Sequence, residues 1–69
     1  MDNDTLRRMA NQIADFYGPY SDEEAVDGIA VHIAKFWEPR MREALQAAFS
    51  DTPDIFKPRV AKAIERLKA

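Results

Sequence analysis

Apolar residues recur at three- and four-residue spacing through most of the chain, and that period predicts helices. Leu6, Met9, Ala10, Ile13, Phe16 and Tyr17 form the first such stripe, preceded by the capping oxygens of Asp2, Asn3 and Asp4. Gly18-Pro19 ends it, with glycine expected in the left-handed cap conformation and proline unable to continue the ladder. Ser21-Asp22-Glu23-Glu24 is a capping box, and the stripe after it runs through Val26, Ile29, Ala30, Ile33 and Trp37. This second helix should stop near Trp37, because the residue before Pro39 is disfavoured in the helical region. The short connection from Gly18 to Tyr20 sets the first two helices antiparallel, as a hairpin.

Pro39 suits the first position of a third helix carrying Met41, Ala44, Leu45, Ala48 and Phe49 on one face, although helices two and three read equally as one kinked rod. Ser50 to Asp54 is rich in turn formers and reads as a loop, while Ile55-Phe56-Lys57 is ambiguous. Pro58 opens a last helix whose buried stripe is Val60, Ala61, Ile64 and Leu67, with Lys62, Glu65, Arg66 and Lys68 toward water. The expectation is an all-α fold: a small three- to four-helix bundle built on an N-terminal antiparallel helical hairpin, with residues 1–69 as a single domain.

Size then restricts what such a bundle can do alone. A chain of 69 residues buries only about 60% of the surface its unfolded form exposes, so its stability margin is thin. Small domains commonly add disulfides, a metal or a partner. There is no cysteine, and one histidine without thiolates cannot close a structural zinc site, which leaves association with another chain. The formal net charge of −2, from 10 basic and 12 acidic residues mixed along the sequence, supplies no positive field for a nucleic-acid backbone. The polar, acidic start lacks a signal core and no apolar run approaches membrane-spanning length, so a cytoplasmic protein without nucleic-acid or membrane partners is expected.

Candidate chemistry gathers between His32 and Arg42, which hold the only histidine, the only tryptophan and Pro39. Phe36 and Trp37 place two large rings at a rigid corner. His32 is the one side chain that titrates near neutrality, but no nucleophile or paired acid stands at a helical spacing from it, so no catalytic residue is assigned. With Ala25, Gly28 and Phe36 it defines a second seam on helix two. Glycine costs about 1 kcal/mol against alanine in a helix interior, so Gly28 implies the close approach of another backbone or ring. That seam fits either the protein's own core or a partner. Arg40 and Arg42 fall in the first turn of helix three, where the dipole disfavours cations, and call for an acidic counterpart: Glu38 and Glu43, or a carboxylate or phosphate from outside. Gln12 lies beside the first apolar stripe and Asn11 points away from it, a pair read as solvated or locally bonded. The string from Met9 to Tyr17 also echoes that from Ile29 to Trp37, aligning Gln12 with His32; either the hairpin presents two equivalent aromatic tips, or two core helices simply share a stripe.

Two strings together carry a family resemblance: Met9-Ala10-Asn11-Gln12-Ile13 followed by Phe16, and His32-Ile33-x-x-Phe36-Trp37-x-Pro39-Arg40-Met41-Arg42. The chain resembles the delta subunit of NAD-dependent, molybdenum-containing formate dehydrogenases. Length, string spacing and the closing Ala63-Ile64-x-Arg66-Leu67 pattern agree, so the likeness covers nearly the whole chain; it departs in the acidic start and from Ser50 to Lys57. The resemblance implies a non-catalytic accessory subunit without cofactors of its own. Its partners would be a large alpha subunit with a bis-pterin molybdenum cofactor and iron-sulfur clusters, and further subunits passing electrons to NAD through FMN. The matching residues His32, Phe36, Trp37, Pro39, Arg40, Met41 and Arg42, with Asn11 and Gln12, are then the docking candidates. Other readings are a free-standing helical homo-oligomer or isolated homodimer, a helix-turn-helix nucleic-acid binder, and a stand-alone enzyme.

Overall fold

Four helices, joined by tight connections, follow from these start and stop signals. The structure, a computed structural model, describes residues 2–68. α1 spans Asn3–Phe16, α2 Asp22–Phe36, α3 Pro39–Asp51 and α4 Pro58–Lys68, with a single 3-10 turn at Pro53–Ile55. The fold is the expected all-α bundle, and α2 and α3 are separate helices.

Each start has its cause in a named side chain. Asp2 accepts from the Thr5 amide at 2.7 Å, and Ser21 Oγ accepts from the Glu24 amide at 3.2 Å while donating to the Glu24 carboxylate at 2.9 Å. Pro39 and Pro58 take first-turn positions, where a missing N–H costs no ladder bond. The end of α1 departs from expectation, because no described glycine has a positive φ. The chain instead tightens: the amides of Tyr17, Gly18 and Tyr20 donate to Ala14, Asp15 and Tyr17, satisfying terminal carbonyls through three-residue turns.

The core is drawn from all four helices, with Leu6, Ile29, Ile33, Leu45, Val60 and Ile64 fully buried at its centre. α2 follows α1 through the short expected turn, but the most extensive packing is α2 on α4 and α1 on α3. The α2 stripe is buried throughout. On α1, Ala14 is buried while Phe16 is exposed, and on α4 Ala63 replaces Ala61 as the buried alanine. α3 persists to Asp51, which shortens the expected loop, and the 3-10 turn that follows lays Phe56 into the core beside Phe49, with ring centroids 5.9 Å apart.

Polar side chains then tie the bundle's ends across long sequence separations. Arg59 on α4 donates to the Tyr17 carbonyl at 2.9 Å, the Tyr20 carbonyl at 3.0 Å and the Asp22 carboxylate at 2.8 Å, so one guanidinium holds the α1–α2 turn. Lys57 pairs with Asp15, and Arg66 with Asp27 at 3.4 Å, so Arg66 bridges α4 to α2 as well as facing water.

Candidate docking surface

An open groove of about 390 Å³ lies between α1 and α2. Met9, Gln12, Ile13 and Phe16 form its α1 wall, since these positions recur at three- and four-residue spacing on one side of the helix. His32 on α2 and Trp37 just past its end face them, and Tyr17 completes the lining. The Tyr17 ring lies so close to Gly28 that a Cβ there would stand 2.5 Å from Cε1 and 2.6 Å from Cζ. The close approach expected at Gly28 is therefore made by a ring of the protein itself.

The two aromatics at the end of α2 separate sharply. Phe36 is the last helical residue and is 72% exposed, while Trp37 is only 6% exposed and belongs to the core. The backbone turns extended at Trp37 (φ −89°, ψ 137°), breaking the 100° helical progression and folding the indole inward. Phe36 instead leans on His32, with ring centroids 4.9 Å apart and planes 41° apart. Its counterpart in the echoed string, Phe16, is 77% exposed and contacts Tyr17 edge-on at 5.7 Å. The echo thus places two open phenylalanines and two inward-turned rings, Tyr17 and Trp37, around one groove.

The other candidates are dispersed. Asn11 accepts from the Lys57 amide at 3.1 Å and donates to the Ile55 carbonyl at 3.3 Å, so its amide clamps the segment before α4 rather than bonding locally. Arg42 donates to the Ala34 carbonyl at 2.8 Å, satisfying a terminal acceptor of α2. Among the described residues neither Arg40 nor Arg42 forms an ion pair with Glu38 or Glu43, so the local one of the two readings gains no pair. Arg40 and Pro39 are exposed, and Met41 packs against the core from its rim. The structure therefore gathers Gln12, His32 and Trp37 in the groove, sets Phe36 beside it against His32, and leaves Asn11, Pro39, Arg40, Met41 and Arg42 outside.

Sequence reasoning missed Phe16, Met9, Ile13 and Tyr17 as groove residues. The echo between the two strings was the signal that could have found them. Arg59 carried no local signal, because its partners lie 37 to 42 residues away. Among the described residues no group of three or more His, Asp or Glu side chains could hold a metal ion, and no helix is long and apolar enough to cross a membrane.

This geometry defines a miniature all-α chain with an uncharged, aromatic-rimmed groove left open between its first two helices. Residues 5–64 match the family model of the NADH-dependent formate dehydrogenase delta subunit, FdsD, and the chain belongs to that family. No curated protein and no solved structure matches it.

Proposed function

We propose that the chain is a non-catalytic accessory subunit that docks on the other subunits of a cytoplasmic formate dehydrogenase, most extensively on the large alpha subunit, and stabilises the assembly around its molybdenum cofactor. Membership of the delta-subunit family supports the accessory role. The observation that carries the docking reading is the exposure of Phe16 and Phe36 beside the groove, 77% and 72%. These two phenylalanines are the most exposed of the large hydrophobic residues described, and aromatic anchors dominate binding energy at interfaces. The bis-pterin molybdenum centre, the iron-sulfur clusters, FMN and the NAD site belong, in this proposal, to the partner subunits.

The test is expression of the whole enzyme with and without this chain, measuring complex size together with molybdenum and pterin content. Scaffolding predicts smaller or dissociated complexes whose remaining large subunit keeps normal cofactor content. Loss of molybdenum and pterin from otherwise intact complexes would assign the chain to maturation instead. Identical complexes with identical content in both preparations would overturn the accessory role.

A further inference from the structure

Resting on the docking reading above, we infer that the groove between α1 and α2 receives the apolar face of an α-helix contributed by a larger partner subunit, about two turns of it, rather than an extended segment or a second copy of this chain. The first argument is charge. Charged residues make up 32% of the chain, yet none of the seven that line the groove carries a formal charge apart from the titratable His32. A charged occupant would have no counter-ion there and would lose hydration on entry, so the docking face must be apolar, with a polar group only opposite Gln12 or His32.

Backbone chemistry selects a helix over a strand. The groove walls are side chains of two helices whose interior N–H and C=O groups are already paired, so they offer an incoming strand no ladder partners. A strand's own amides would be left unsatisfied against apolar surface, whereas a helix brings its hydrogen bonds with it. Length fits as well: Met9 to Phe16 spans about 10 Å along α1, close to two helical turns.

A second copy fits poorly on charge and on area. The other exposed helical faces carry Lys35, Glu43, Lys62 and Glu65, and would bring charge into the hollow. Only a groove-on-groove pairing remains, and a stable dimer needs about 800 Å² from each partner. That is on the order of a fifth of this chain's 4472 Å² surface, more than a two-turn slot supplies by itself, whereas a larger subunit adds contacts beyond the slot that a pairing through the two grooves alone lacks.

The test uses the assembled complex. A photoreactive benzoylphenylalanine replaces Gln12 in the full chain, with the same replacement at exposed Lys62 on α4 as the control, and crosslinked peptides are mapped. Position 12 is expected to capture residues three or four apart on one helix of a larger subunit, and position 62 is not. In parallel, Phe16→Ser and Phe36→Ser should each weaken retention of the chain at least tenfold, with unchanged thermal unfolding of the isolated variants showing that the fold is intact. Crosslinks to a strand, to a loop or to a second copy, or variants retained like wild type, would overturn the helix-in-groove inference while leaving an accessory subunit that docks elsewhere. A wild-type chain that does not co-purify with the other subunits would overturn the docking reading and this inference with it.

Discussion

Phe36 and Trp37 are neighbours in sequence and opposites in energetics. Truncating Trp37 to alanine should cost about 3–5 kcal/mol, because the indole is enclosed by the core cluster and its removal leaves a cavity. Phe36→Ser should change stability by no more than about 0.5 kcal/mol, since the ring is mostly in water already. Urea denaturation of the two variants checks the contrast, and equal losses would refute the assigned burial. Gly28 poses a subtler residue-scale question. Alanine there gains about 1 kcal/mol of helix propensity but collides with the Tyr17 ring, and overpacking typically costs 1–3 kcal/mol. Gly28→Ala alone is thus expected to destabilise by about 1 kcal/mol. In a Tyr17→Ala background the ring is gone, and the same substitution should stabilise by about 1 kcal/mol. A double-mutant cycle that shows no change of sign would mean that Tyr17 does not hold the glycine in place.

At the scale of elements, the helix junctions depend on a few polar ties. Arg59 secures the α1–α2 turn through two carbonyls and one carboxylate, so Arg59→Met should cost about 1–2 kcal/mol and speed amide exchange in the turn. Arg59→Lys should recover only part of this, because an ammonium lacks the planar fork that reaches all three acceptors. The start of α1 responds to acid instead. The Thr5 amide holds the Asp2 carboxyl below its ordinary 3.8, and the Arg7 guanidinium does the same for Asp4. Groups whose folded pKa is depressed stabilise above the unfolded value, and that contribution disappears as pH falls through the folded one. The first turn should therefore loosen below about pH 3.8, visible as faster exchange at Thr5, and Asp2→Asn should flatten the response while keeping a cap. The same elements show what sequence could reveal. Helix starts were legible because Asp2, Ser21, Pro39 and Pro58 act on their own next turn. The α2 stripe was legible because α2 packs along α4 and touches α1, so a wide arc of it is buried. The exposure of Phe16, the choice of Ala63 over Ala61 and the burial of Phe56 were not, since each depends on how one helix is rotated against another. The groove was half legible: the echoed strings announced its rings, but which rings turn inward depends on the backbone leaving the helix at Trp37.

Across the whole molecule, thin intrinsic stability and an open groove point to the same dependence on a partner. The chain is compact, with a radius of gyration of 10.7 Å against about 11 Å for a folded chain of this length, so it has a definite native state to be stabilised. It has no disulfide, its ion pairs are largely solvent-exposed, and such pairs contribute between zero and about 1 kcal/mol each. Binding that favours only the folded form adds about 2.7 kcal/mol when the partner is present at a hundred times its dissociation constant. In a domain of this size 1 kcal/mol moves the melting temperature by about 4–8 °C, so assembly should raise this chain's unfolding by on the order of 10–20 °C. Hydrogen exchange of the chain, alone and within the complex, measures the difference over a temperature series. Protection should increase most along α1 from Met9 to Phe16 and around His32 and Trp37 at the end of α2, because an occupant of the groove touches those walls directly. A uniform rise over α3 and α4 with none along the groove would place the stabilising contact on the opposite side of the bundle. Protection unchanged everywhere would show that the folded chain gains nothing from the assembly.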